Sequence, residues 1–286
     1  MHTAMVISPH ADDAAAFCGG TLAKFAAQGW RVVLVRVTDD AKDSVGLTEE
    51  ETISRNTEEL AAAAKILGVA EIVELGFPTD RLADEPLTTL RERFVYLLRK
   101  HRPYAVFSFD PFGMYEGNMD HIRVAQAVEE AFWVSCFDLH HPGHFKEGLE
   151  PFAPCERWYF GRSLPDPNHA EDITGFLETK VAALCAHKTM LKNILQQLRL
   201  QLRTWGRQAP ALEAAFHGDP AELAAFMLHG QAQAAAHAHG LEEGQLAECF
   251  RLDRFGDLEE FLQQASEPIP GAPEPPHRPG LDADEA

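Results

Sequence analysis

Positive charge is scarce in this chain. Lys and Arg number 25 against 44 Asp and Glu, a formal net charge of −19. A surface this acidic is repelled by phosphate backbones and anionic membranes, which argues against nucleic acid or a membrane as partner. Long apolar runs are missing too. No stretch approaches the roughly 18 consecutive apolar residues of a membrane span. The opening MHTAMVISPHADDAAAF has neither a basic n-region nor a long apolar h-region, so no secretory leader is expected. Cysteine is sparse: five residues, odd in number, scattered and without a C-x-x-C pair. This excludes a disulfide framework and a thiolate zinc site, and reduced thiols in the cytoplasm are the expectation. There is no G-x-G-x-x-G and no Walker sequence, so Gly19-Gly20 is read as a close-packing device in a helix rather than a phosphate loop.

What is present suits one large domain plus an extension: 286 residues, 45% hydrophobic. Over residues 1–135, β-type runs alternate with helical patterns. Strands are expected at 4–8, 31–37, 70–75 and 104–109, and helices at 14–28, 48–67, 86–101 and 120–135. Thr48 with Glu51 forms a capping box before the second helix, and Gly68 closes it. Near-continuous apolar strands between helices predict an α/β fold: a Rossmann-like, mostly parallel, doubly wound sheet flanked by helices. Beyond about residue 165 the texture turns helical, over 174–203, 210–239 and in one or two short helices within 241–264. This predicts a catalytic domain over 1–190, a C-terminal helical extension over 191–266 and a Pro-rich, acidic, disordered tail over 267–286. Phe132, Trp133 and Phe137 are read as core, as is Cys18.

In such sheets ligands bind where strands end at their carboxyl termini. Two polar segments there combine imidazole with carboxylate. In Pro9-His10-Ala11-Asp12-Asp13, His10 and Asp13 are spaced to face one metal, with Asp12 on the far side of a bound water. The competing reading makes Asp12 or Asp13 a helix cap and His10 an exposed turn residue. Asn118-Met119-Asp120-His121 repeats the pattern at another strand end, again with capping as the competing reading. Together they supply His, Asp and His for a metal, with one spare carboxylate as base.

The segment SPHADDAAAFCGGTLAKFAAQGWRVVLVRVTDD resembles the opening of the PIG-L/LmbE-like zinc-dependent N-deacetylases, whose first motif is [AS]-H-P-D-D-E followed by a Cys-Gly-Gly-Thr-like helix. Gly76-Phe77-Pro78 with Arg81-Leu82, RPYAVFSFDPFGMYEGNMDH, KVAALCAHKTML and AECFR also resemble that family. The resemblance implies zinc held by His10, Asp13 and His121, Asp12 as general base, and Asp120 as a residue behind the site that orients the Asn118 or His121 region. It implies hydrolysis of a linear amide, most simply deacetylation of an N-acetylated sugar or small-molecule conjugate. Asn118 stands where the family has a histidine; an asparagine amide donates a hydrogen bond to an oxyanion but cannot shuttle a proton. Arg55 is the candidate for the family's substrate arginine, although it falls one residue out of register with Glu59. Asp39, His144 in the HHPGH loop, and His187 are further candidates for substrate contact.

Two other readings stay open. Asn118 could mark a catalytically weakened relative that binds metal or ligand, or the alternating texture could belong to a nucleotide-binding module whose helices recruit a partner. Self-association into a homo-oligomer is undecided by the sequence.

Overall fold

The computed structural model describes residues 1–278. Strands β1 (Thr3–Ser8), β2 (Arg31–Thr38), β3 (Glu71–Phe77) and β4 (Ala105–Phe109) alternate with helices α1 (Asp13–Ala27), α2 (Glu49–Leu67), α3 (Leu87–His101) and α4 (Met119–Val134). The expected elements are therefore all present, and the Thr48–Glu51 capping box and a left-handed Gly68 C-cap bound α2. A short helix α5 (Gly143–Lys146) precedes β5 (Glu156–Phe160) and β6 (His169–Asp172). Then come α6 (Leu177–Ala186), α7 (Lys188–Thr204), α8 (Pro210–His217), α9 (Ala221–Ala238), β7 (Ala247–Asp253), a 3₁₀ turn at Gly256–Leu258 and α10 (Glu259–Ala265).

The sheet has seven strands in the order β3-β2-β1-β4-β5-β7-β6. β1 to β5 run parallel, with Met5 opposite Val33 and Val106, while β7 is antiparallel to both β5 and β6. Because side chains alternate across a strand, Ala4 and Val6 pack with Cys18, Leu22 and Phe25 of α1, while Met5 and Ile7 face Phe94 of α3 and Val128 of α4 on the other side. The chain winds outward from β1 through β2 to β3 and then crosses back to β4 on the opposite side of β1. This reversal opens a crevice at the carboxyl ends of β1 and β4.

Several expectations fail in the second half. Residues 247–253 are a strand, not helix: Ala247, Glu248, Phe250 and Leu252 are buried in a period close to two, and the polar Glu248 among them hid the alternation. Because β7 lies in the sheet, the helices from α7 to α9 leave the sheet and the chain returns to it. The helical run over 174–203 breaks at His187, which ends α6 and precedes α7. Phe132 is core, but Trp133 is 74% exposed, since adjacent helical residues point about 100° apart, and Phe137, beyond the end of α4, is 44% exposed. In the tail, residues 267–278 carry no helix or strand, yet Arg278 is buried. It pairs with the buried Glu156 carboxylate at 2.9 Å and lies over Phe25, Trp30 and Trp158. A carboxylate under an aromatic wall needs such a cation, so the expected disorder does not hold at this position. The rest of the expected tail, 279–286, lies outside the described residues.

One junction ties β7 to α1. Cys18 leaves helical geometry at φ −138°, and just beyond it Gly20 N and Thr21 N donate to Glu248 at 3.0 and 2.8 Å. Lys180 of α6 donates to the same carboxylate at 2.6 Å. Gly20 allows the close approach that its pair with Gly19 suggested: a Cβ there would meet Ile173 at 2.8 Å. Gly20→Ala is expected to cost about 1–3 kcal/mol of stability, because Ile173 is fully buried and cannot retreat. A urea midpoint lowered at unchanged slope is the measurement that checks it.

Candidate metal and catalytic site

The turn after β1 and the first turn of α4 meet in the crevice. The ring nitrogens His10 Nδ1 and His121 Nε2 lie 3.1 Å apart, and His121 Nε2 is 3.4 Å from Asp13 Oδ1. Ligand atoms of His10, Asp13 and His121 all fall within 4.8 Å of one another, and all three residues are buried. Asp13 Oδ2 accepts from His10 N at 2.8 Å, which closes the turn. The His121 ring stacks on Phe109 at 4.0 Å between centroids, so the end of β4 sets its plane.

The capping alternatives are resolved residue by residue. Asp12 is the N-cap of α1, but its side chain makes no capping hydrogen bond. Asn118 caps α4, its Oδ1 accepting from Asp120 N at 2.9 Å. Asp120 is therefore released for another role. Its carboxylate accepts from Asp80 N and Leu82 N at 2.7 and 3.2 Å and lies 3.3 Å from His10 Nε2. It orients His10 and holds the loop after β3, rather than orienting Asn118 or His121 as expected. Asp80, in that loop, takes the left-handed φ of 61°, which aims its N–H at Asp120.

The electrostatics of this crevice are dominated by buried acids. Burial, reinforced by the Asp13 carboxylate, pushes Asp12 up to about 8. Burial pushes Asp40 up to about 7 and Asp43 up to about 6. His10 is held well above its usual range, its hydrogen bonds to Asp120 and Asp13 outweighing burial. Two imidazoles and a carboxylate, crowded among further carboxylates, form a donor set that fits zinc, and a divalent cation would relieve the accumulated negative charge.

The other candidates divide. His187 is 1% exposed, its two ring nitrogens have no hydrogen-bond partner among the described residues, and burial pushes it down to about 4 with the Asp13 carboxylate opposing. It is thus a neutral imidazole behind the ligand turn. Asp39 is instead a loop fastener, accepting from Ala41 N, Thr79 N and Thr79 Oγ1. Arg55 lies on the exposed face of α2, while the next residue, Asn56, is buried and donates to Asp40 O at 3.3 Å. The one-residue offset in the sequence is therefore real, and Arg55 does not reach the crevice. His144 is buried against Arg99 at 3.2 Å, near the end of α3. α4 carries the chain away from the strand ends that hold His121, so the HHPGH loop sits at the opposite end of the sheet, against Arg99 of α3. Sequence reasoning passed over Asp43 and Glu116. Asp43 lies in the Thr38–Ser44 segment, whose three aspartates were the signal. Glu116 Oε2 stands 3.2 Å from His121 Nδ1 and its Oε1 accepts from Arg162; its irregular loop offered no pattern.

Fold and site together define an α/β protein with a buried His/Asp/His group that could hold a metal ion at its switch point, beside the buried Asp12 carboxylate. Comparison with known proteins agrees. Residues 5–132 match the family model PIG-L, GlcNAc-PI de-N-acetylase. The chain is similar to diacetylchitobiose deacetylase of Thermococcus kodakarensis, 31% identical over 201 residues, covering 68% of this chain and 72% of that one. It is similar to 1D-myo-inositol 2-acetamido-2-deoxy-alpha-D-glucopyranoside deacetylase of Mycobacteroides abscessus, 29% identical over 232 residues, covering 65% and 81%. In fold it is similar to the solved N,N'-diacetylchitobiose deacetylase of Pyrococcus horikoshii, with a TM-score of 0.71 at 23% identity over 90% of this chain and 88% of that one. The chain belongs to the PIG-L/LmbE-like family of N-deacetylases, hydrolytic enzymes that act on acetamide bonds.

Because Arg55 faces solvent, Arg55→Ala is expected to leave stability within about 0.5 kcal/mol of the parent. Its N-deacetylase kcat/KM should also be unchanged, which steady-state kinetics beside a urea titration will check.

Proposed function

We propose that this chain is a zinc-dependent N-deacetylase of small N-acetylated substrates of the amino-sugar kind. The observation that carries this reading is a buried carboxylate, Asp12, left uncapped beside three ligating side chains whose atoms lie within 4.8 Å of one another. In this reading His10, Asp13 and His121 hold the ion, with Asp120 fixing the His10 ring from behind. Zinc bound there would supply a water of lowered pKa and a Lewis acid for the amide carbonyl. Asp12 accepts the attacking water's proton at a carboxylate oxygen whose affinity burial has raised, and the same oxygen returns it to the departing amine nitrogen. Asn118 donates its carboxamide N–H to the developing oxyanion, an interaction typically worth about 3 kcal/mol. His187, neutral and without a hydrogen-bond partner among the described residues, is assigned a substrate-contact role.

A nucleotide-binding role is disfavoured at the same place. The N-terminus of α1, where a dinucleotide fold receives pyrophosphate, is faced here by Asp12 and Asp13. Among the described residues no helix is long and apolar enough to cross a membrane. All five cysteines are free thiols.

The full chain is expected to bind one zinc, to lose activity to a chelator and to regain it with zinc. Asp12→Asn should keep the metal and lose about 10²–10⁴-fold in kcat on N-acetylglucosamine derivatives. A folded chain that takes up no metal, or an Asp12→Asn enzyme of full activity, overturns the reading. Since Asp12 handles both proton transfers here, an added acid is redundant, and Asn118→His is expected to change kcat by less than about tenfold, well below the roughly 10²–10⁴-fold that a needed acid contributes. A gain of several orders of magnitude would instead identify the parent as a weakened relative.

A further inference from the structure

Hydrolysis of an acetyl group leaves a large cavity of the molecule unused. A chamber of about 590 Å³ lies between α1, α6, α7, α9 and β7, and Asp12 stands in its wall. Its volume is that of a pocket for a drug-sized ligand, far more than one methyl group fills. Phe17, Leu184, Leu191, Leu195, Leu228 and Ala232 are among its lining residues. Lys180 and Glu248 also border it, but they are bound to each other, and Glu248 further receives Gly20 N and Thr21 N. Arg162 and Gln231 are exposed at its rims. Away from Asp12, the described side chains of the interior therefore offer no unsatisfied partner to a sugar hydroxyl or an ammonium group, whose burial without one would cost several kcal/mol. A second, smaller recess of about 110 Å³ lies over His121 and is lined by Asp110, Glu116 and Arg162. The two spaces share Gly161 and Arg162. A small recess bordered by charged side chains and a larger chamber walled by leucine and alanine thus adjoin the candidate site, one at His121 and the other at Asp12.

We propose that the chamber receives the aliphatic chain of an N-acyl substrate, so that medium- and long-chain amides are cut as well as acetamides, while the amine half occupies the recess over His121. This rests on the reading of Asp12 as the base at the scissile carbonyl. The reaction is the same hydrolysis. A C–O bond forms between water and the acyl carbon, and the C–N bond breaks. The products are a fatty carboxylate and a protonated amine, with no redox partner. Helices α7 and α9 then serve specificity, because they build the wall along which the acyl chain lies.

The test uses the zinc-loaded full chain on glucosamine amides of acetic, butanoic, hexanoic, octanoic and decanoic acid. Because each methylene buried adds about 0.8 kcal/mol, kcat/KM should climb about fourfold per methylene through the middle of the series. Ala235→Phe, at a half-buried wall position, should lower the decanoyl-to-acetyl ratio of kcat/KM at least tenfold, and the milder Ala235→Leu should lower it less. A series that is flat or falls with length overturns the acyl chamber while leaving deacetylation standing. Faster cleavage of N-acetyldecylamine than of decanoylglucosamine also overturns it, by placing the chain on the amine side. If no amide is cleaved, the deacetylase reading falls, and the chamber is judged by calorimetry with 1-decanol. Binding that weakens at least tenfold in Ala235→Phe supports an aliphatic site, and no binding to the parent overturns it.

Discussion

Too many carboxylates are buried at one end of this sheet for their charges to coexist unaided. Asp12, Asp13, Asp40, Asp43 and Asp120 surround His10 at the crevice, and burial drives three of them to hold protons far above the carboxylate range. Such a cluster is costly to fold, since a buried charge is tolerated only when paired or bound to a metal. The His10–Asp120 and His10–Asp13 contacts recover part of the cost by keeping a proton on imidazole. A divalent ion among His10, Asp13 and His121 would recover more, and folding and metal affinity would then be one quantity. The acidic net charge excluded polyanionic partners at the outset; concentrated at one crevice, the same acidity is an argument for a cation.

The rest of the fold is arranged to make that crevice rigid. The ligand turn opens α1, and α1 is held from below by the kink at Cys18 and the Glu248–Lys180 junction. β7 reaches that junction only because the chain returns from α9 to the sheet between β5 and β6. An element more than two hundred residues downstream thus fixes the helix whose first turn carries Asp12 and Asp13. Loops after β2 and β3 are stitched to each other by Asp39 and Thr79, and the β3 loop is stitched to α4 by Asp120. Each candidate ligand therefore sits in or beside a turn held by a neighbouring segment, which is how such a position attains the precision a metal site requires.

The first half of the chain is readable because its signals are local. β-branched runs, a capping box and a glycine C-cap state their own conformation, and residue types that bind metals announce the site. The pairing of His10 with His121 also follows, because strand ends in a wound sheet converge whatever lies between them. The failures share a different cause. β7 carries a buried Glu248 that erases its alternation, and only the distant Gly20 and Thr21 N–H groups explain why an acid belongs there. Arg278 and Glu156 are likewise a pair that neither segment implies alone. Asp39 and Asp43 look alike in the sequence because composition gives no orientation within a turn. His144 is misplaced by sequence reasoning because a His/Pro/Gly loop reads the same at either end of a sheet.

The apolar chamber and the proton chemistry of Asp12 are two consequences of one burial. A carboxylate facing water on all sides would ionise in the ordinary range and make a weak base. Walled by Phe17 and the helices behind it, Asp12 is desolvated enough to hold a proton near neutral pH, where a general base works best. The excursion from α7 to α9 thickens that wall well beyond what desolvation needs, and in doing so it encloses volume. Volume enclosed by leucine and alanine beside a reacting carbonyl selects for carbon, because every methylene that enters replaces unfavourable hydration with contact. Placing the bulk of the helical extension there joins specificity to reactivity. The surface that tunes the base is the surface that measures the substrate.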